Sequence, residues 1–376
     1  MNGYFSALRK VTKTVCAQVL EEFFKISFIT FLINSFFPSG LEYACISLVL
    51  GSTISEFFSF LFLLLLYVRD KRKLASNGYQ DTNYTKQILK ISLPISFTSY
   101  IRSGLSTLKQ MMIPMQLEKS GLSCEKALSQ YGMINGMVMP LILFPCSFIS
   151  SFSSLLIPEF SFMNARGEEK KMNFALEKIF KFCFLFSFLV MGFFFCFAEE
   201  LNQFIYPLID VTFYIKLLCP LVVLMYIDTI VDSILKGLDK QVSVMGINII
   251  DLTSSIFFIY FLLPSQGIKG YLIVLFASEI INGLLSLLLL IKETKLKIDF
   301  VNWLIKPFVG VFLLTNIFSY FVSISSLIEF IFYIFLFIIM YFILLIFLGS
   351  LIKEDIRIIA NNNFCHIKIS YQLLLI

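Results

Sequence analysis

The chain has 376 residues, of which 58% are hydrophobic, and its mean hydropathy is +0.86. Only 15% of the residues are charged and the formal net charge is +5, so there is too little charge to cover a soluble fold of this length. The composition therefore excludes a water-soluble globular protein and predicts a chain solvated mainly by lipid.

The residues that catalysis or metal binding would require are scarce. The sequence has one histidine, His366, and its eight cysteines form no C-x-x-C pair. It has no phosphate-binding loop of the G-x-x-x-x-G-K-[ST] type and no nucleophile motif. We therefore expect no enzyme activity, no catalytic residue, no metal site and no cofactor.

Ten apolar segments are long enough to span a bilayer, which takes about 20 residues. The first is interrupted by Glu21, Glu22 and Lys25, where a Glu21–Lys25 pair one helical turn apart is expected. The pattern predicts an all-α polytopic membrane protein of about ten transmembrane helices. In chain order the segments are 16–37, 41–68, 87–116, 131–157, 175–197, 212–237, 242–263, 268–291, 304–324 and 327–349.

The loops between these segments differ sharply in positive charge. With the N-terminus in the cytoplasm, eighteen Lys and Arg residues lie on the cytoplasmic side and three on the other, namely Lys119, Lys126 and Lys269. Because cytoplasmic loops carry the excess of Lys and Arg, this asymmetry favours an even number of helices and two cytoplasmic termini.

The third segment carries a row of polar residues on one helical face. Ser99, Arg102, Ser106 and Lys109 recur at steps of three and four residues, so this face is not expected to point at lipid. One interpretation is a cationic wall that binds an anionic group such as a pyrophosphate. The alternative is pairing with carboxylates elsewhere, or snorkelling of Lys109 to the membrane surface.

Four acidic residues lie in later segments. Asp228 and Asp232 are one turn apart in the sixth, Asp251 is in the seventh, and Glu279 lies in the eighth beside Ser278 and Asn282. They are candidates for binding a coupling cation or a proton, or for neutralising the cations of the third segment, and the residues favour this structural pairing for the three aspartates. Both roles nevertheless stay open.

Five stretches of the sequence have the character of family motifs: GLSCEKALSQYGM at 121–133, GMVMP at 136–140, LLIPE at 155–159, LKGLDKQ at 235–241 and LPSQGIKGY at 263–271. They resemble the stage V sporulation protein B family, the polysaccharide-biosynthesis branch of the multidrug/oligosaccharidyl-lipid/polysaccharide exporter superfamily. The resemblance covers residues 1–357, and it is most specific between 121 and 159.

The resemblance implies a fourteen-helix fold of two six-helix lobes and a final pair, of which this chain corresponds to the last ten helices. The domains expected on this basis are 1–86, a two-helix remnant of the first lobe; 87–291, the complete second lobe; and 292–376, the accessory pair with a cytoplasmic tail. A similar pair of Ser-Glu steps, at Ser55 and Ser278, hints at an internal repeat between the lobes.

The resemblance also implies a function. Similar proteins flip lipid-linked oligosaccharides or peptidoglycan precursors across the bacterial cytoplasmic membrane, and the sporulation branch is tied to spore-cortex peptidoglycan. The expected partners are a lipid-linked glycan, membrane lipids and a separate chain that supplies the missing first-lobe helices, with no nucleic acid. Two alternatives stay open: a truncated fragment or scaffold that transports nothing, and a cation-coupled multidrug antiporter.

Overall fold

The structure, a computed structural model, describes residues 4–5, 11–36, 40–72, 84–294, 296, 299–321 and 326–351. These residues form helices and connecting turns, with no strand among them. The chain divides into two compact units, Met1–Thr85 and Lys86–Ile376. The single histidine predicted to lie in the tail, His366, is outside the described residues.

The first unit is a helical hairpin of α1 (Val11–Phe36) and α2 (Leu41–Lys71). The helices approach closely at Gly51, where a Cβ atom would lie 2.6 Å from Cγ1 of Ile29. The predicted Glu21–Lys25 pair is wrong, because Lys25 pairs instead with Glu22, three residues away, at 3.7 Å.

The second unit contains the remaining helices, joined by short turns. They are α3 (Tyr84–Lys119), α4 (Cys124–Gly132), a π-helical segment (Met133–Val138), α5 (Met139–Leu143), α6 (Cys146–Ala165), α7 (Glu169–Cys196), α8 (Ala198–Ile205), α9 (Thr212–Leu218), α10 (Leu221–Gly237), α11 (Gln241–Gln266), α12 (Ile268–Thr294), a second π-helical segment (Val301–Ile305), α13 (Lys306–Phe321) and α14 (Leu327–Phe347).

Helix α10 lies at the centre of this unit and packs on α6, α7 and α12. Its Tyr226 is fully buried and donates a hydrogen bond to the Ile142 carbonyl at 3.3 Å. Helix α7 also packs against α13 and α14. Trp303 lies against the rings of Phe180 and Phe184 on α7. The core is therefore one continuous apolar cluster built around α7 and α10.

The two ends of α14 illustrate how the sequence sets these helices. Ser326 accepts a hydrogen bond from the Glu329 amide at 3.3 Å, and the Glu329 carboxylate accepts one from the Ser326 amide, which forms a capping box. The helix then exposes large apolar side chains such as Ile328 and Phe347, at 80% and 87%. Such exposure is stable when lipid, rather than water, surrounds the helix.

Seven helices are long and apolar enough to cross a membrane, or eight if the bent pair α9 and α10 forms one span, among the residues described. This confirms the predicted all-α polytopic membrane class. Helices α1 and α3 have 26 and 36 residues but are more polar, so the count of ten stays a prediction.

The structure differs from the predicted segments at two places. The region predicted to span at 131–157 is divided by the π-helical segment, and the helix that passes the length and composition test is α6, Cys146–Ala165. The 212–237 segment bends by 48° between α9 and α10, because Pro220 lies at the break and lacks the amide needed to continue the hydrogen-bond ladder.

Candidate functional site: a polar network across four helices

A chain of hydrogen bonds connects α3, α11 and α12 inside the second unit. The Lys109 ammonium donates to the Ser255 hydroxyl at 3.1 Å, and Ser255 donates to Ser278 at 3.0 Å. Ser278 then donates to the Asp251 carboxylate at 2.6 Å. The two serines therefore connect the Lys109 ammonium to the Asp251 carboxylate, which the lysine does not contact directly.

A second polar group lies where α10 meets α12. The Asn282 amide donates to the Asp228 carboxylate at 2.8 Å. One turn further along α10, Asp232 pairs with Lys236 at 3.8 Å. Four buried polar atoms here have no hydrogen-bond partner among the described residues: Asp228 Oδ1, Asp232 Oδ1, Asn282 Oδ1 and Ser286 Oγ. Ser286 nevertheless lies close enough to Asp228 to interact with its carboxylate, and Asn248 interacts in the same way with Asp232. Buried polar atoms are normally satisfied, so these partly satisfied groups can still accept a proton, a cation or water.

The two groups form one electrostatic system. Glu279 interacts with Lys109 and with the carboxylates of Asp228 and Asp251. Arg102 and Lys236 both act on Asp232. Four carboxylates thus lie near three cationic side chains, and Asp251 and Glu279 are on helices long and apolar enough to span a membrane.

The predicted polar face of α3 is divided between two environments. Arg102 is exposed, whereas Lys109 is partly buried and committed to Ser255. Ser99 donates to the Ile95 carbonyl of its own helix at 2.8 Å, and Ser106 is half-buried. The structure therefore brings Lys109 to the acidic residues, while Arg102 keeps an open side chain.

Sequence reasoning missed three members of the network, Ser255, Ser286 and Lys236. A search for polar residues repeated every four positions would have identified the first two, Ser255 and Ser286. Ser278, Asn282 and Ser286 follow one another at this spacing on α12, and all three are buried. Ser255 follows Asp251 at the same spacing on α11. In an otherwise apolar helix, such a stripe indicates a face turned towards protein.

No group of three His, Cys, Asp or Glu side chains in the described part of the chain has the arrangement needed to hold a metal ion. The polar groups of the site are carboxylates, hydroxyls, an amide and cationic side chains. This set can bind a proton, an alkali cation or the polar head of a ligand, and it contains no activated nucleophile.

The fold and this buried network define a polytopic, all-α membrane protein with a charged interior. No family model matches the chain. It is similar to stage V sporulation protein B of Bacillus subtilis (strain 168), with 25% identity over 305 residues, 79% of this chain and 58% of the relative. The predicted resemblance to the stage V sporulation protein B family is thereby confirmed.

A second curated relative is sporulation protein YkvU of the same organism, with 21% identity over 162 residues. That match covers 42% of this chain and 36% of the relative. The chain thus spans less than two thirds of the length of either sporulation protein.

Proposed function

We propose that this chain flips a lipid-linked oligosaccharide or peptidoglycan precursor across the bacterial cytoplasmic membrane, with both termini in the cytoplasm. Its role would be in the synthesis of cell-wall or spore-cortex polysaccharide. The proposal rests on the similarity to stage V sporulation protein B and on the charged network inside a polytopic helical unit.

The network is the observation that carries a transport role. A charged side chain at the centre of a bilayer costs about 2.5–3.5 kcal/mol on insertion scales. Lys109, Asp228, Asp251 and Glu279 all lie on helices rich in apolar residues, away from the loops. Polar groups at that depth most often serve a pathway for an ion or a polar ligand.

Arg102 is the residue we assign to the anionic part of the substrate. Its guanidinium can bind a diphosphate through two parallel hydrogen bonds, and its exposed side chain leaves those donors accessible. Lys109, Ser99 and Ser106 lie on the same helix and complete the proposed binding face.

The carboxylates have a different role in this proposal. Asp251 and Glu279 act electrostatically on the Lys109 ammonium without contacting it, so they balance its charge in the absence of substrate. Asp228 and Asp232 each have a carboxylate oxygen that is only partly satisfied, and they are the candidates for taking up a coupling cation or proton.

The test is a flipping assay with the full chain in proteoliposomes. A fluorescent polyprenyl-diphosphate saccharide is incorporated, and a membrane-impermeant quencher reports how much of it reaches the outer leaflet. We expect Arg102→Ala to slow flipping at least tenfold with normal abundance, because it removes the diphosphate contact. Lys90→Ala, an exposed cation on the same helix, serves as the matched control.

Two results would contradict the proposal. Equal flipping rates for Arg102→Ala and Lys90→Ala would show that the cationic face of α3 does not bind the substrate. No flipping by the folded wild-type chain would favour a non-transporting scaffold, and efflux of cationic dyes from the same vesicles would favour an antiporter.

A further inference from the structure

A cavity lies in the second unit, where the end of α7 meets α8, α9 and α13. Its volume is about 220 Å³, and it is walled by Phe195, Phe197, Phe318, Glu199, Glu200 and Lys216. Helix α7 is apolar enough to span a membrane and ends at Cys196, so the cavity lies at the level where the chain leaves the membrane. It shares no lining residue with the polar network.

The charged groups of this cavity do not cancel. Lys216 pairs with Glu199 at 2.7 Å, which leaves Glu200 as a second carboxylate. The Glu200 side chain forms part of the cavity wall, so the cavity is lined by two carboxylates and one ammonium group. This surplus of carboxylates suits a cationic hydrogen-bond donor.

This environment shifts the pKa of the Glu200 carboxyl. Burial raises its pKa, because the charged form loses hydration. The carboxylate of Glu199 raises it further and the Lys216 ammonium lowers it. A cation bound in the cavity would add a second counter-charge near the Glu200 carboxylate.

Three phenylalanine rings form part of the cavity wall. Phe197 and Phe318 are buried and meet edge to face at 6.1 Å between ring centroids. Phe195 is 49% exposed beside them, on the surface of a spanning helix. Aromatic faces attract ammonium groups, and an exposed phenylalanine at this level can contact acyl chains.

Lys216 is positioned to contact a phosphate next to the ammonium. Its side chain is 37% exposed, and its partner Glu199 is 73% exposed. An ion pair this open is worth little, so Glu199 can return to water when a phosphate approaches Lys216. The cavity thus offers an acceptor for an ammonium and a cation for a phosphate within one small space.

We propose that this cavity binds the phosphoethanolamine headgroup of a membrane phospholipid, with its ammonium donating to Glu200 and its phosphate facing Lys216. A quaternary ammonium has no N–H to donate to the Glu200 carboxylate. An anionic headgroup would add a second unpaired negative charge beside Glu200. The headgroup chemistry therefore selects phosphatidylethanolamine over phosphatidylcholine and phosphatidylglycerol, and the site acts independently of the proposed flipping.

The experiment is native mass spectrometry of the purified full chain in mixed micelles containing one of these three lipids at equal concentration. We expect phosphatidylethanolamine to bind at least fivefold more tightly than the other two. Glu200→Gln should weaken its binding about tenfold, because a hydrogen bond to a charged group is lost. Glu125→Gln removes an exposed carboxylate elsewhere and should leave binding unchanged.

Equal binding of the three lipids by the wild type would overturn the proposal, and this result does not depend on the folding of any variant. Unchanged binding in a folded Glu200→Gln protein would overturn it as well. Displacement of the lipid by an equal concentration of soluble phosphoethanolamine would refute the assignment to a lipid, since the acyl chains would then contribute nothing.

Discussion

Removing the charge of Lys109 is the sharpest test of the polar network. The Lys109→Met substitution keeps the length and apolar stem of the side chain but removes the ammonium that Ser255 accepts at 3.1 Å. It also removes the cation that acts on Asp251 and Glu279. The two carboxylates would then repel each other without a nearby counter-charge from α3.

The expected cost follows from these contacts. Breaking a fully buried ion pair typically costs about 3–5 kcal/mol. Two serines separate Lys109 from Asp251, and a hydrogen bond between membrane helices is worth about 0.6 kcal/mol on average. We therefore expect Lys109→Met to lower the free energy of unfolding by about 2–3 kcal/mol, below the range for a direct pair.

The assay is equilibrium unfolding in mixed micelles with increasing denaturing detergent. Trp303 is the only tryptophan of the chain and is buried against Phe180 and Phe184, so its fluorescence reports on the core of the same unit. Lys90→Met changes an exposed cation on the same helix and should shift the free energy of unfolding by less than about 0.5 kcal/mol.

A double variant isolates the interaction. Lys109→Met combined with Asp251→Asn removes both charges, so its cost should be smaller than the sum of the two single costs by about 1–2 kcal/mol. Strict additivity, or a cost for Lys109→Met as small as that of Lys90→Met, would refute the reasoning that the serines couple these charges.

Three further substitutions test local features by thermal unfolding. Gly237→Ala should destabilise the protein by about 1–3 kcal/mol, because its Cβ would lie 2.7 Å from the Ile157 carbonyl oxygen; no loss would contradict the close approach. Hydrogen bonds from Asn302 hold the pKa of Asp299 below its ordinary value, so its stabilisation is present above about pH 3.9 and is lost as the pH falls through the lowered pKa. The difference in Tm between wild type and Asp299→Ala should therefore shrink from pH 5 to pH 3, and a difference that grows would be contrary to this sign. Ser326→Ala should cost about 1 kcal/mol through loss of the capping box, and recovery by Ser326→Asp would separate capping from other effects.

Much of the helical architecture was predictable, because the apolar runs are long and the breaks between them are polar. Helix α14 begins at Leu327, as predicted, since Ser326 caps it. The division of the 131–157 segment was not predictable, because Met133–Val138 is as apolar as an ordinary spanning helix. A π-helical segment leaves no mark in hydropathy, which depends on residue type and not on hydrogen-bond register.

The candidate site was predictable only as a set of helical faces. Asp228 and Asp232 share a face of α10 by their spacing, and the structure has both half-buried there. The spacing could not reveal that Asp228 bonds to Asn282 of α12 while Asp232 pairs with Lys236 of its own helix. The predicted roles of Arg102, Ser99 and Ser106 in substrate binding stay predictions.

The sequence by itself determined that this protein lies in a membrane, that it is helical, and which helices carry charge, because composition and period depend only on the order of residues. The tertiary structure alone decided that Lys109 reaches Asp251 through Ser255 and Ser278, and that Glu200 lines a cavity together with Glu199 and Lys216. These contacts join helices far apart in the chain. They depend on the rotation and depth of each helix against its neighbours, which interhelical packing sets.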